Sequence, residues 1–370
     1  MKLLYPILSA LIIMGCGEPP AGNELVQEEA IPVDTLTAVD SIGILMGDSC
    51  YTIGAITNFT MLSGAQPVIV DRVKGTVALF DENGVFVRNY GRQGEGPGEF
   101  QHPMSAIKLS SGTVVIIDRY ANVNSYDMSG EFLGSWSFSG MGGALLDCIP
   151  FDESTMVCYF FSMQRVEEGF SINYSLKRYN AITGEIESEY FNWFGEPSAS
   201  TDFTPAYLAV ASDEEGTMYL SRLQSDVWAV EVYGADPAPV DTIVLFSDQE
   251  RTPLSGMGIV PGIMPLQYQI QDGDNFQQAA VNMPEEQPFI SALGVDGEGN
   301  IWCRRGGLPG DMWDVVSPEG EHLREVMAVL PDSAYYIDMD VTPHGILAFD
   351  IFTEDYHKLY IMGTEVERVQ

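Results

Sequence analysis

Six arginines carry the clearest chemical possibility in this sequence. Arg72, Arg92, Arg119, Arg165, Arg222 and Arg304 recur along a chain with only 17 basic residues against 53 acidic ones. A guanidinium fork holds a carboxylate, phosphate or sulfate through two parallel hydrogen bonds. Residues for covalent or acid–base chemistry are not grouped in any recognisable way. The four histidines, His102, His322, His344 and His357, stand in separate settings. They form no H-E-x-x-H pair, and the chain has neither a P-loop nor a G-x-S-x-G turn. No catalytic residue is assigned. Asp296-Gly-Glu298-Gly-Asn300 has the outline of a calcium loop. It lacks the glycine at position six and the glutamate at position twelve, so the expectation is a hairpin turn. No metal ligands and no cofactor are expected, calcium being the one ion the many carboxylates leave open.

The formal charge of −36 repels duplex nucleic acid and anionic lipid surfaces. No nucleic-acid partner is expected, and the same charge also suits solubility or a saline habitat. Cys50, Cys148, Cys158 and Cys303 show no C-x-x-C spacing. Cys148 and Cys158 flank a turn at Asp152-Glu153-Ser154 and can face each other across one hairpin. Both a disulfide and buried free thiols are open there.

The elements that must position these residues are strands. Apolar residues alternate with polar ones in short runs, and helical periodicity is nearly absent. One feature recurs six times: a turn, then three to five apolar residues ending at Asp or Arg, or at Tyr159 in the third copy. Its copies are 66–71, 112–118, 154–159, 216–222, 299–304 and 345–350. An alternating run precedes each copy and a further strand follows it. The turns after those strands rhyme as Asp81-Glu-Asn-Gly84, Asp127-Met-Ser-Gly130, Asn180-Ala-Ile-Thr-Gly184 and Ser317-Pro-Glu-Gly320. Glycine in last place suits a turn that needs positive φ. Small sheets of this kind cannot bury both faces alone, so copies must stack. The fold class is all-β: a six-bladed β-propeller with four antiparallel strands per blade. Seven blades are the alternative. A strand near 33–39 is expected to close the ring. Residues 248–287 break the rhythm as an insert, lid or loop, with a short helix expected within 264–280.

One stretch resembles a known repeat. Gly91, Gly94, Gly96, Pro97, Gly98, Phe100 and Pro103 match G-x-x-G-x-G-P-G-x-F-x-x-P, the pattern of the NHL repeat. The resemblance implies an NHL-like six-bladed propeller. Some propellers of that kind are lyases with histidine-bound zinc in the channel, and other six-bladed propellers are calcium-dependent lactonases. A metal-dependent hydrolase or lyase is therefore the alternative to a binding module. The start of the chain resembles a bacterial lipoprotein signal. Lys2 precedes an apolar run at 3–14, too short to span a bilayer, and then Gly15-Cys16. The resemblance implies lipidation of Cys16. The expected organisation is a signal peptide at 1–15, a flexible tether at 16–32 and the propeller at 33–370 with its insert at 248–287. The expected address is the bacterial cell envelope, outer membrane included, with membrane contact through the lipid alone.

In a propeller, the loops between second and third strands share one face with the links between blades. Arg72, Lys74, Arg119, Arg165, Arg222, Arg304 and Arg305 fall in those loops, and Arg92 and Arg251 in the links. The opposite turns carry Glu82, Asp152, Glu153, Asp213, Glu214, Glu215, Asp296, Glu298 and Glu319, with no Lys or Arg. Two readings stand. Pairs such as Asp71-Arg72 and Asp118-Arg119 lock neighbouring blades, or the arginines form a positive mouth. The second reading expects an anionic glycan or a protein partner held by a binding or scaffolding module.

Overall fold

The computed structural model describes residues 31–370 apart from 120–121, 139–142, 168, 195–207, 223–226, 246–267, 273–274, 280–289, 307–310, 332–336, 351–355 and 365–370. Cys16, the segment 1–15 and all but the last two residues of 16–32 therefore lie outside the described residues.

Strands form the regular structure. β1 (Val33–Ile42) precedes blade 1, made of β2 (Ile56–Leu62), β3 (Gln66–Asp71), β4 (Thr76–Phe80) and β5 (Phe86–Asn89). A short parallel pair, β6 (Arg92–Gln93) and β7 (Glu99–Phe100), leads to blade 2: β8 (Pro103–Lys108), β9 (Val114–Asp118), β10 (Asn122–Tyr126) and β11 (Phe132–Ser137). Blade 3 is β12 (Gly143–Pro150), β13 (Thr155–Val166), β14 (Gly169–Asn180) and β15 (Ile186–Phe194). Blade 4 is β16 (Leu208–Ser212), β17 (Met218–Arg222), β18 (Ala229–Tyr233) and β19 (Pro239–Val244). Next come β20 (Tyr268–Asp272) and β21 (Asn275–Ala279), then blade 5 with β22 (Ile290–Val295), β23 (Ile301–Arg305), β24 (Asp311–Val316) and β25 (His322–Val329). Blade 6 contains β26 (Ile337–Thr342), β27 (Gly345–Asp350) and β28 (Leu359–Thr364).

The first strand of each blade is innermost. β2 touches β8, β8 touches β12, and the sequence continues through β16, β22 and β26 back to β2. Six apolar clusters, one per junction, fill the spaces between blades. The cluster between blades 1 and 2 joins Leu62, Val68, Val70 and Tyr90 to Phe100, Ala106, Val114 and Tyr126. The cluster between blades 5 and 6 joins Trp302, Trp313 and Val315 to Ile337, Met339 and Ala348. Period-2 alternation explains this placement, because alternate side chains of one sheet point to its two neighbours. Burying a residue such as Trp313 or Tyr126 contributes ~2–3 kcal/mol.

β1 closes the ring, and the structure supplies its partners. It is the outer strand of blade 6, antiparallel to β28 from Leu36↔Thr364 to Ile42↔Leu359. Its first half also runs parallel to β25, from Val33↔Glu325 to Thr37↔Val329. One strand thus joins two blades. Within 248–287, the described residues form a hairpin of β20 and β21, where a short helix was expected. Tyr268, Ile270 and Phe276 stand at strand spacing about Asp272-Gly273-Asp274, so a period of two and a turn signal outweigh helix propensity.

The rhyming turns are Asx and Ser turns. Asp81 Oδ1 accepts from the backbone N–H of Asn83 and Val85, and Asp127 Oδ1 accepts from that of Glu131. Gly84, Gly130, Gly184 and Gly320 all have positive φ, from 70° to 89°. Asp296-Gly-Glu298-Gly-Asn300 is the β22–β23 turn, with Asp296 Oδ1 accepting from the N–H of Glu298 and Asn300.

Candidate functional site

Three layers of polar residues lie along the channel: the face of the loops between second and third strands, the channel wall, and the face of the turns between first and second strands. On the first face, Asp71 and Asp118 are nearly fully buried. The Asp71 carboxylate accepts from the N–H groups of Gly54, Ala55, Val73 and Lys74. Asp118 accepts from Gln101 and His102. Each aspartate clasps the link entering its blade, and Asp71 also holds its own loop. The backbone N–H of Arg72 and of Arg119 donates to the carbonyl of Ala55 and of His102, in matching places. These aspartates therefore lock the link to the blade while the adjacent arginine side chains stay exposed.

The six predicted arginines have different fates. Arg72 and Arg119 are exposed, and no carboxylate among the described residues pairs with either. Arg92 is exposed and pairs with Glu99. Arg222 holds Glu231 through Nε and Nη2, both at 3.1 Å, and lies over the Phe191 ring. Arg304 is 4% exposed and donates to the Ile337 carbonyl at 2.6 Å. The Arg165 side chain and Arg251 lie outside the described residues. Arg72, Arg92 and Arg119 sit on abutting loops: a Cβ on Gly75 would meet the Gln101 carbonyl at 3.6 Å and the Gln93 side chain at 3.9 Å. Lys74 is turned inward, donating to Thr52 and Ser49.

Register explains why blades 4 and 5 differ. The last residue of the second strand opposes the first residue of the innermost strand: Asp71↔Ile56 and Asp118↔Pro103 in blades 1 and 2, Arg222↔Leu208 and Arg305↔Ile290 in blades 4 and 5. Where blades 1 and 2 place an aspartate, blades 4 and 5 place an arginine paired to an acid of the third strand. Arg305 binds Asp314 and Glu325, both at 2.5 Å from Nη2.

The channel wall carries three acids that sequence reasoning missed. Asp147 lies on β12 of blade 3, and Asp338 and Asp340 on β26 of blade 6, on opposite sides of the ring. Their charges act on one another. Burial first, then Asp338 and Asp147, push the Asp340 carboxyl up to about 7. Burial raises Asp147 to about 6, and raises Asp338 against the opposing pull of Arg304. Protein surrounds these groups, yet channel water reaches them, since Asp147 is exposed and the other two are half-buried. Their influence on stability is correspondingly smaller than full burial would give. Among the described residues no three His, Cys, Asp or Glu side chains are placed to hold a metal ion.

A raised carboxyl keeps its proton longer in the folded state, so its stabilising contribution is lost as pH rises from the ordinary aspartate value towards about 7. Asp340→Asn is therefore expected to raise the melting temperature more at pH 8 than at pH 5. Thermal melts of both proteins across that range check this, and a gain independent of pH would refute it.

At the opposite mouth three blades meet. Lys108 at the end of β8 reaches Glu214 in the β16–β17 turn, with Nζ 2.8 Å from Oε1. His344 in the β26–β27 turn places Nε2 2.9 Å from the same oxygen and 2.5 Å from Lys108 Nζ. Blades 2, 4 and 6 are thus tied by one charged knot, and the Lys108 side chain is only 7% exposed. Burial opposes ionisation of Glu214, but Lys108 and His344 hold its carboxyl below the usual range. Burial and Lys108 lower His344. The knot joins positions 108, 214 and 344, for which the sequence offers no local signal.

Comparison with known proteins agrees with this architecture. No curated protein matches the chain. Solved structures of similar shape include a Bacteroides fragilis protein provisionally named as exported (TM-score 0.48, 10% identity, 90% of this chain and 99% of that one). A member of the DUF4221 family from Bacteroides vulgatus has TM-score 0.48 and 10% identity over 89% of this chain and 98% of that one. The calcium-binding protein regucalcin of Agrobacterium tumefaciens has TM-score 0.46 and 10% identity over 90% and 95%. These are likenesses of shape, and nothing about their ligands passes to this chain. The model of the family DUF5128, described as a 6-bladed beta-propeller, matches residues 44–231, half of the sequence. With its six blades and that match, the chain belongs to the DUF5128 family of six-bladed β-propellers.

Proposed function

We propose that the protein is a cell-envelope binding module, anchored through a lipid on Cys16, that takes an acidic glycan or an acidic protein surface at the loops of blades 1 and 2. The supporting observation is the pair Arg72 and Arg119, which stand exposed at matching places on adjoining blades of a strongly acidic protein. Arg92 lies on the link between them. Arg222 is paired within blade 4 and Arg304 reaches from blade 5 to the Ile337 carbonyl of blade 6, so both add structure more than binding capacity. The net charge makes the rest of the surface repel an acidic ligand, which confines attraction to this mouth. Propellers host both binding and catalytic sites, so the fold does not set the function and the exposed arginines carry the reading.

The test uses an array of sulfated and uronate glycans together with capture of envelope proteins. The Arg72→Ala/Arg119→Ala variant is expected to melt at the wild-type temperature and to lose roughly tenfold affinity per charge-assisted contact removed. Binding that is unchanged in the variant, or insensitive to salt, would discard the reading. Palmitate labelling of wild type against Cys16→Ser tests the anchor separately.

A further inference from the structure

Cys148 and Cys158 are direct cross-strand partners in blade 3, in register between β12 and β13. Their sulfurs lie 2.8 Å apart, closer than unbonded sulfurs normally approach, and both thiols are buried. Directly opposed residues of an antiparallel pair have the Cα separation a disulfide requires. The other two described cysteines sit elsewhere: Cys303 packs between blades 4 and 5, and Cys50 lies in the link before blade 1.

We infer that Cys148 and Cys158 close into a disulfide while blade 3 folds. One thiolate attacks the disulfide of a glutathione-type or protein oxidant, forms a mixed disulfide and expels one thiol. The second thiolate attacks the cysteine sulfur of that mixed disulfide, the intramolecular S–S bond forms, and the second thiol leaves. The two cysteine sulfurs give up two electrons to the oxidant, and the two protons they lost on forming thiolates are taken up by its two leaving sulfurs, which depart as thiols.

The timing follows from burial. The sulfurs sit among Val115, Phe138, Met156 and Tyr179 at the junction of blades 2 and 3. A bulky oxidant cannot reach them there, and burial pushes the Cys148 thiol well above its ordinary value, which suppresses the thiolate. The bond therefore forms on the β12–β13 hairpin before blade 2 packs over it, and afterwards is sealed from reductants.

The location also has a consequence for the channel. The register slips between Leu145 and Asp147, one residue before the cysteine pair. That bulge sets Asp147 in the channel, and the N–H of Cys148 donates to Asp147 Oδ1 at 2.8 Å. A bond at the next rung fixes the bulge and with it the Asp147 carboxylate.

The pairing needs an oxidising compartment in the cell and in that respect rests on the export reading. Two arms separate the two ideas. In the first, purified full-length chain is unfolded, refolded with glutathione disulfide, alkylated and mapped by mass spectrometry. A linked pair of peptides carrying Cys148 and Cys158, with Cys50 and Cys303 alkylated, is expected. Alkylation of Cys148 and Cys158 along with Cys50 and Cys303, or a link to Cys50 or Cys303, would overturn the proposal. The linked protein should melt about 5 °C above protein refolded in reductant, and reductant should release the pair only after denaturation. Release at the same rate from the folded protein would overturn the sealed arrangement. Cys148→Ser should leave Cys158 alkylated while Cys50 and Cys303 stay unchanged, and a new link from Cys158 to either of them would overturn the pairing. In the second arm, the same mapping is done on protein taken directly from cells. A linked pair in the first arm with free thiols in the second sinks the export reading and leaves the pairing standing.

Discussion

Gly91→Val is expected to cost about 2–5 kcal/mol, a large share of a total stability of roughly 5–15 kcal/mol. The backbone at Gly91 has φ of 57°, where a β-branched residue pays about 1–2 kcal/mol. Space is the larger obstacle. A Cβ there would lie 2.4 Å from Tyr126 Oη, 2.8 Å from Phe100 Cε1 and 2.9 Å from the Gly98 carbonyl oxygen. Tyr126 and Phe100 are each 1% exposed, and Tyr126 Oη donates to that same carbonyl. Neither ring can move without opening the junction of blades 1 and 2, and overpacking of this kind adds about 1–3 kcal/mol. Gly64→Ala is the control. It shares a positive φ, of 76°, but a Cβ there meets nothing within 4 Å. It should cost only about 1 kcal/mol, the backbone part alone. Urea unfolding of the three proteins reads both values. Equal losses at the two sites would mean that strain, not packing, makes Gly91 necessary.

That contrast shows why the fold was legible. The glycine, proline and phenylalanine pattern at 91–103 is a set of local demands: positive φ at Gly91 and Gly98, and a ring at Phe100 that fills the space a side chain at Gly91 would need. Local demands write themselves into adjacent residues. The same holds for the turns, where Asp81, Asp127 and Asp296 cap their own backbones, and for the six second strands, which are short apolar runs bounded by those turns. The partner of β1 was not legible because β-pairing at the rim is set by which strand edge is left open. Only closure of the ring leaves β28 and β25 on either side of Val33–Ile42.

The site was legible only in part, for a related reason. Sorting arginines by loop put Arg72 and Arg119 in corresponding loops, and their backbones do occupy matching places in blades 1 and 2, since loop position follows from strand order. It could not see that the acids meeting Arg222 and Arg305 lie on the third strand, because that pairing depends on cross-strand register. The knot of Lys108, Glu214 and His344 joins alternate blades, and the trio Asp147, Asp338 and Asp340 spans opposite ones. A central channel brings together residues with no sequence periodicity in common, so pattern reading along the chain has no access to them. The helix expected within 264–280 failed differently: its glutamines favour a helix, but its apolar residues keep strand spacing.

Removing the Arg305 guanidinium should expose how the rim of blade 5 is held. In Arg305→Met a loss of about 3–5 kcal/mol is expected. Arg305 is 10% exposed at its side chain and Asp314 6%, and two hydrogen bonds join them, Nε to Oδ2 at 2.8 Å and Nη2 to Oδ1 at 2.5 Å. Asp314, through its hydrogen bonds, and then Glu325 raise the arginine's proton affinity further, so the pair is firmly ionic. Methionine fills the volume but leaves a buried carboxylate stripped of its guanidinium, with the His322 ring nitrogen Nε2 2.9 Å away. A buried charge stripped of its partner costs more than the intact pair contributes, because desolvation has already been paid on folding. Arg305→Met/Asp314→Leu should therefore recover most of the loss, since two apolar side chains at this rung extend the cluster that already holds Ile301, Cys303 and Val316. A double-mutant cycle by urea unfolding measures the coupling. Strict additivity would show that the two groups act independently. Strong coupling would show that blades 4 and 5 keep an arginine where blades 1 and 2 keep an aspartate because each charge answers a partner already buried at that rung.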